Sequence, residues 1–294
     1  AERSRLEKLR LSMTAAQREE VVRIASELRT AQQTPDSPEA LDTVPSLSRN
    51  DLPRQNTPVP SSLNRDHDVP VLCHELDTMG ILYATLALDM SAVPGHQLPL
   101  GPLDARALPE LGTSRHDYVD LGLEIAANTG SLDLGDAVLT RLDDGSVVSR
   151  LLISGKCVRD KVDRMAGLME EILFEPSLNN RERFTQILLE EKARMEQTLI
   201  PSGHALVNAR LCARLSQQGR ISEEMNGVTA LLYIRSLTER LKKDWDGIAS
   251  DLMELHRCII RRDNAVLDLT AEQGLIESSR PRMEELAHKL PTHP

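Results

Sequence analysis

The stretch MGILYATLALDM, from Met79 to Met90, decides the fold class of this chain. Its side chains fall into two alternating sets, one beginning at Ile81 and the other at Leu82, and both sets are largely apolar. A strand with only one buried face would alternate apolar with polar residues. The stretch therefore predicts a central β-strand that is covered on both faces.

Other strand patterns surround this one. The run VPVLCHEL from Val69 predicts a second strand, and SLDLGDAVLTRL and GSVVSRLLIS predict a hairpin around the tight-turn pair Asp144-Gly145. The run NAVLDLT near the carboxyl terminus predicts a last strand. Between the hairpin and this strand the periodicity is helical. The first predicted helix follows Ser114, with Asp117 at N3. Three more span residues 159–174, 181–199 and 204–218. The last three begin at about Val228, after Asp244 as N-cap, and after Pro281. This order predicts an α+β fold with helices on one face of a sheet.

The first 61 residues have a different character. Residues 1–33 predict a helical hairpin, whose second helix begins with a capping box of Thr14 and Gln17. An apolar stripe from Val21 to Leu28, which includes Ile24 and Ala25, predicts one buried face. Residues 34–61 are rich in proline, which interrupts both helices and central strands, so they predict an extended linker with one helical turn after Pro38. We expect a hairpin and linker over 1–61 and an α+β domain over 62–294.

Composition limits the possible partners. The net charge of -10 argues against nucleic acid as a main partner, because phosphate binding requires a basic surface. Aromatic residues make up only 2% of the chain, which disfavours base-stacking surfaces. No apolar run reaches about 18 residues, so we expect no membrane span. The four cysteines form no C-x-x-C pair, which predicts reduced and mostly buried thiols in a reducing, soluble compartment; they are Cys73, Cys157, Cys212 and Cys258.

Several residue pairs could suggest catalysis, but their spacing is unsuitable. Ser202 and His204 are too close in sequence at a helix start to direct a hydroxyl at an imidazole, and Ser202 fits a helix N-cap instead. The pairs Glu190-Glu191 and Glu223-Glu224 would diverge on a helix, which favours solvated charged faces. Ser154-Gly155-Lys156 lacks the remaining residues of a phosphate-binding loop.

Metal ligands are also dispersed. His256 and Cys258 would diverge on a helix, and no His-x-x-Glu-His spacing occurs among the eight histidines, which are His67, His74, His96, His116, His204, His256, His288 and His293.

The methionines Met165, Met169, Met225 and Met253 fit core positions. The arginines Arg210, Arg214, Arg235, Arg240, Arg261 and Arg262 fit exposed positions or contacts to other domains. We predict no catalytic, cofactor-binding or metal-binding residue in this chain.

Three runs resemble one known family. They are QQTPDSPEALDTVPSLSRNDLP from Gln32, NNRERFTQILLEEKARMEQTLIPSGH from Asn179, and SGHALVNARLCARLSQQGRISEEMNGVTALLYIRSLTERLKKDW from Ser202. Together they resemble the presequence-protease branch of the pitrilysin and insulinase zinc metallopeptidases, over its helical linker and third domain. In residues 91–112, SAVPGHQLPLGPLDARALPELG, proline and glycine weaken a helix that the family has.

The resemblance implies a noncatalytic linker and chamber-wall segment of an enzyme that degrades unfolded or targeting peptides. Zinc and the catalytic residues would lie in other domains of the same peptidase, which would be this segment's partners together with peptide substrates. The alternative is a helical adaptor, or a degenerate peptidase homologue that acts only through protein–protein interaction. An upstream His-x-x-Glu-His motif would favour the peptidase.

Overall fold

The computed structural model describes residues 2–55, 57–65 and 68–292, and it divides the chain into two compact units, 1–58 and 59–294. The first unit contains α1 (Glu2–Ser12), α2 (Ala15–Gln33) and α3 (Pro38–Asp42). Thr14 caps α2 through the predicted reciprocal bonds with Gln17, and α3 confirms the helical turn after Pro38. The prediction of a buried stripe on α2 is wrong for this chain, because Val21, Ile24 and Leu28 are all more than half exposed.

The second unit is built on a six-stranded sheet with the order β1-β2-β6-β3-β5-β4. Its strands are β1 (Ser62–Asn64), β2 (Val71–Glu75), β3 (Ile81–Asp89), β4 (Ser131–Thr140), β5 (Val147–Val158) and β6 (Ala265–Ala271). Only the β2–β6 pair is parallel; the other neighbouring strands are antiparallel. The predicted hairpin of β4 and β5 is confirmed, and Gly145 takes the positive φ of 73° that its tight turn requires.

Helices supply the second layer. They are α4 (Gly101–Glu110), α5 (Tyr118–Asn128), α6 (Val162–Phe174), α7 (Arg181–Thr198), α8 (Gly203–Leu215), α9 (Gln217–Asn226), α10 (Val228–Leu241), α11 (Trp245–Ile259) and α12 (Gln273–His288). The α+β prediction is confirmed. β3 is central, but the expectation that both its faces are covered is wrong: Leu82, Ala84, Leu86 and Leu88 are buried, whereas Tyr83 on the other face is 42% exposed.

Three helix boundaries and one helical segment differ from the sequence-based prediction. The N-cap of α5 is Asp117, which accepts from two backbone amides, and not Ser114. A new helix, α9, begins at Gln217, so Gly219 lies inside a helix and does not end one. Residue Pro281 lies within α12, which begins at Gln273. Residues 95–110 are helical despite their prolines: Pro102 stands in the first turn of α4, where a missing amide costs little, whereas Pro99 and Pro109 lie inside helical turns.

A carboxylate fastens the turn between β2 and β3. Met79 and Gly80 have positive φ values of 56° and 81°, so the chain reverses here in a tight turn. Glu272, the N-cap residue of α12, accepts bonds there from Thr78 N (3.0 Å) and Gly80 N (2.8 Å). Those backbone bonds lower the pKa of Glu272 to about 2. The turn is thereby joined to the β6–α12 connection.

The core between sheet and helices is mainly aliphatic. Met165, Met169 and Met225 are buried there as predicted, but Met253 is 40% exposed, so the prediction of a core position is wrong for Met253.

All four cysteines are free, and only Cys157 is fully buried, so the expectation of mostly buried thiols is also wrong. Burial raises the pKa of Cys157 to about 11, which keeps it a neutral thiol. One carboxylic acid, Asp104 on α4, is 1% exposed, and its Oδ1 has no hydrogen-bond partner.

Candidate functional surface

The sheet has one face that its helices leave uncovered, which we call the open face. Alternate residues of the central strands are half-buried or exposed there, while their neighbours are buried. The strand register places the following side chains on it: Leu72, His74, Ile81, Tyr83, Thr85, Ala87, Asp89, Arg150, Leu152, Ser154, Lys156, Val266, Asp268 and Thr270. Apolar and polar groups therefore share a broad surface that water or a ligand can reach.

A serine, a histidine and an aspartate meet at one margin of the open face. The ring of His74 lies between Ser61 Oγ, 2.9 Å from Nδ1, and Asp268 Oδ2, 3.1 Å from Nε2. The Ser61 hydroxyl donates to Val59 O (3.0 Å), and the carbonyl of Pro60 lies 3.2 Å from the same Nδ1. Because the Ser61 hydroxyl directs its one proton at Val59 O, that proton is not presented to the ring of His74. The cluster fastens the segment before β1 to the sheet and offers no activated nucleophile.

Polar groups in the middle of the open face bond across strands. Thr85 Oγ1 and Ser154 Oγ are 3.0 Å apart, and Arg150 Nη2 lies 3.9 Å from Asp89 Oδ2. Such cross-strand pairs stabilise a sheet without covering it. The sequence carried a signal for this surface that our prediction did not use: several polar residues share one alternation of β5 and β6, namely Arg150, Ser154, Lys156, Asp268 and Thr270.

Ser202 and His204, the pair considered for nucleophilic catalysis, lie at the start of α8. Ser202 is the N-cap residue, as predicted, but its side chain makes no capping bond. His204 is exposed. Residues Ser154, Gly155 and Lys156 lie within the strand β5 and not in a loop, and Gly155 leaves room for the side chains of Met165 and Met169.

The glutamate pairs are not merely solvated, which corrects the prediction for one member of each. Glu191 is buried, and its carboxylate binds Arg106 (2.9 Å) and Arg194 (2.5 Å), whereas its neighbour Glu190 binds Arg106 from an exposed position. These charge-assisted bonds join α4 to α7.

Glu223 is buried as well and holds the start of α10. Its carboxylate accepts from Thr229 N (3.0 Å) and Thr229 Oγ1 (2.7 Å) and lies 3.0 Å from Arg210 Nη1. Because Gly227, the N-cap of α10, has no side chain, Glu223 supplies the missing cap from the preceding helix. Its neighbour Glu224 pairs with Arg220 on the surface. Both glutamate pairs have structural partners.

The arginines singled out by sequence also have local partners. Arg235 pairs with Glu196, Arg240 with Asp244 and Asp251, Arg261 with Asp263, and Arg262 with Asp68. Arg214 is exposed on α8. These pairs lie within the second unit and occupy most of the guanidinium groups that could otherwise contact another domain.

The histidines do not converge on a metal site in the described part of the chain. Burial lowers the pKa of His256, whose Nε2 lies 2.9 Å from the carbonyl oxygen of Leu173, and its i,i+2 neighbour Cys258 offers no second ligand beside it. His67 and His293 lie outside the described residues. Within 2–55, 57–65 and 68–292 no group of three or more His, Cys, Asp or Glu residues is placed to hold a metal ion. These described residues therefore do not fit a zinc ion, which the resemblance assigns to other domains of the same peptidase.

Comparison with known proteins identifies the family of this chain. A family model for the region associated with peptidases of family M16, subfamily C, matches residues 1–237. The chain belongs to this peptidase-associated family. Presequence protease 1 of Arabidopsis thaliana, described as chloroplastic/mitochondrial, is 32% identical over 293 residues, which is all of this chain and 27% of that protein. Protein HypA of Clostridium perfringens is 24% identical over 98% of this chain and 29% of its own length.

The peptidase-associated fold also has relatives among solved structures. A peptidase M16 inactive domain from Pseudomonas fluorescens matches 80% of this chain and 52% of its own chain, with a TM-score of 0.56 and 15% identity. At that identity the match supports the fold alone. The family model and the curated relatives confirm the resemblance to a presequence-protease-like region. This chain spans under a third of the length of the two curated relatives. No helix in its described residues is long and apolar enough to cross a membrane.

Proposed function

We propose that this chain is a noncatalytic linker and chamber wall of a zinc metalloendopeptidase that resembles presequence proteases and degrades unfolded or targeting peptides. The whole enzyme's zinc and catalytic residues would lie in its other domains, which would be the partners of this segment. The observation that carries the proposal is the open face. A sheet that buries one face under helices and leaves a broad, mixed surface on the other is suited to line a water-filled chamber.

The chemistry of the open face fits weak, sequence-tolerant contact with peptides. Apolar groups such as Ile81 and Leu152 can bury peptide side chains, while the hydroxyls of Tyr83 and Thr85 can bond to peptide groups. None of the described clusters on this face activates a nucleophile or holds a metal. A wall of this kind would retain substrates and leave cleavage to another domain.

Site-specific photocrosslinking in the full-length enzyme tests the proposal. A benzophenone amino acid replaces Ala87 on the open face, and a matched variant carries it at Leu232, which is 53% exposed on α10. An unfolded peptide substrate should crosslink to the Ala87 variant and not to the Leu232 variant. Equal crosslinking at both positions, or crosslinking at Leu232 alone, would contradict a chamber-wall role.

The alternative adaptor function has one observation in its favour, the exposed apolar stripe of α2. An adaptor would use this stripe to bind a separate protein, whereas a linker would use it within the same enzyme. Replacing Ile24 by Glu separates the two: loss of peptidase activity in the full-length enzyme supports the linker, and unchanged activity with loss of a copurifying protein supports the adaptor.

A further inference from the structure

A small cavity opens at the end of the sheet where β3 begins and β5 ends. Its volume is about 290 Å³, and its walls come from the start of β3, the end of β5, the turn after α5, and Lys161. All of these elements belong to the second unit. The cavity has room for one or two amino-acid side chains, since it lies near the lower limit of about 300 Å³ for small-ligand sites.

Two ammonium groups, those of Lys156 and Lys161, line this cavity, and none of its described lining residues carries a carboxylate. Lys161 Nζ donates to Asn128 Oδ1 (3.0 Å). Because the Asn128 side chain is a neutral amide, this bond does not neutralise the positive charge of Lys161. The nearby carboxylate of Glu124 is occupied by Arg164 (3.1 Å to Nε). Asp160 also lies close enough to act on Cys157 in the cavity wall, but the two ammonium groups outnumber its carboxylate. The cavity therefore has a local positive excess in a chain whose net charge is -10, and it would attract an anion.

The position of Lys156 depends on the glycine beside it. A Cβ atom on Gly130 would lie 3.2 Å from both Cγ and Cε of Lys156, so the absence of a side chain at residue 130 gives the lysine stem its place. Gly130 donates its own amide to the carbonyl oxygen of Lys156 (2.8 Å), which fixes the two segments together. The ammonium is thus held at the cavity by local packing and does not simply extend from a free strand.

Apolar surface accompanies the charge. Ile81 is half-buried, Val158 is 50% exposed, and both line the cavity beside the exposed ring of Tyr83. A ligand that suits these walls carries a carboxylate next to an apolar group. Inorganic anions would leave the apolar walls unsatisfied, and a nucleic acid would meet a chain of the wrong net charge.

We propose that this cavity binds a carboxylate of an extended peptide, either the C-terminal carboxylate or an acidic side chain, with the neighbouring apolar residue against Ile81 and Val158. The assignment of a peptide rests on the proposed chamber-wall function. The lysines act by charge-assisted hydrogen bonds, so the site selects for charge and tolerates sequence variation. Tyr83 and Lys156 are direct cross-strand partners, which makes the cavity continuous with the open face.

The test uses the 294-residue chain and three synthetic peptides, followed by amide chemical shifts and isothermal titration. The first is acetyl-Ala-Leu-Ala-Leu with a free carboxylate, the second is its C-terminal amide, and the third is the amide with Glu in place of the second Ala. We expect the first or third peptide to shift the amides of Thr129, Gly130 and Lys156, and the second to leave them unchanged. Binding of the first alone identifies the chain terminus as the source of the carboxylate, and binding of the third identifies an acidic side chain.

Variants check which groups bind. Replacing both Lys156 and Lys161 by Gln should weaken binding by about fivefold or more, since two charge-assisted contacts are lost together. The double Arg variant should retain binding. Lys243→Gln, at an exposed lysine between α10 and α11, is the matched control for loss of charge. Gly130→Ala should also weaken binding by displacing the Lys156 stem.

Equal binding of the amide peptide, no binding of any peptide, or unchanged affinity of the double Gln variant would overturn the inference. Its failure is separable from failure of the chamber-wall proposal, because peptide binding to the chain alone does not depend on peptidase activity. If the carboxylate peptide binds but open-face crosslinking in the full-length enzyme fails, the ligand chemistry stands and the chamber role does not.

Discussion

Replacing Asp104 by Asn should stabilise the second unit at alkaline pH. Asp104 is fully buried on α4, its Oδ1 has no hydrogen-bond partner, and burial raises its pKa to about 7. Ionising such a carboxyl in the folded state is unfavourable because no charge or donor compensates for lost hydration. An Asn side chain of the same shape removes the ionisation and keeps the packing.

The pH dependence follows from the raised pKa. Between the ordinary Asp pKa of 3.8 and about 7, the folded state holds a proton that the unfolded state has released, so stability falls as pH rises through this window. The wild type has this contribution in full below about pH 4 and has lost it above about pH 7. At 1.36 kcal/mol per pKa unit, the loss is about 4 kcal/mol at pH 8 and about 1.5 kcal/mol at pH 5.

Urea unfolding, followed by far-ultraviolet circular dichroism at both pH values, measures the effect. The stability of Asp104→Asn relative to wild type should rise by roughly 3 kcal/mol between about pH 5 and pH 8. Comparing the two pH values cancels the packing cost of the new amide, which is the same at both. The exposed substitution Asp36→Asn should show no such difference. A pH-independent effect of Asp104→Asn would refute the reasoning.

Other contacts give four further predictions. Glu272→Gln should lower the melting temperature at neutral pH, because the depressed pKa of Glu272 means that only its ionised carboxylate stabilises the fold. The difference from wild type should disappear as pH falls from about 4.5 towards 2. An equal difference at both pH extremes would contradict this. Gly219→Ala should destabilise the chain, since its Cβ would overlap the carbonyl oxygen of Cys212. Gly122→Ala, in open space within α5, should stabilise it by about 0.5–1 kcal/mol. Urea midpoints that shift in the same direction for both variants would contradict this prediction. Hydrogen exchange across residues 18–28 of α2 should be fast in the isolated chain, because none of its residues is buried, and slow exchange would show that the helix is anchored. Elemental analysis after dialysis should find no stoichiometric zinc in the isolated chain, given that its described residues form no metal-binding group, and one zinc per chain would be incompatible with that expectation.

Local sequence determined most of the secondary structure. The capping box at Thr14, the turn at Gly145 and the N-cap at Asp244 are each specified by a few neighbouring residues, and each forms as predicted. The family resemblance was likewise readable from three contiguous runs. Such features depend on backbone geometry and short-range bonds, which need no information about distant parts of the chain.

The sequence was less informative where tertiary packing, and not local propensity, determines that a segment is helical. Residues 95–110 form helical turns because their apolar side chains, including Leu100, Leu103 and Leu108, are buried in the core, and that burial outweighs the low helix propensity of proline and glycine. Proline near a helix start also costs little. Helix propensity reflects only local backbone and side-chain costs and does not include the burial of these side chains in the core.

Which face of the central strand β3 stays open was decided by tertiary structure. The alternation in β3 is nearly all apolar, so the sequence did not distinguish a strand covered on both faces from one with an open face. Lys156 and Lys161 share one cavity with Asn128 and Gly130 because β5 ends beside the turn after α5, which precedes it in the chain by the whole β4–β5 hairpin. The sequence by itself determined most of the secondary-structure elements and the family to which the chain belongs. Only the folded chain determined which faces and charges meet, because side-chain proximity across a sheet depends on strand order and register, and these are set by the packing of the whole unit.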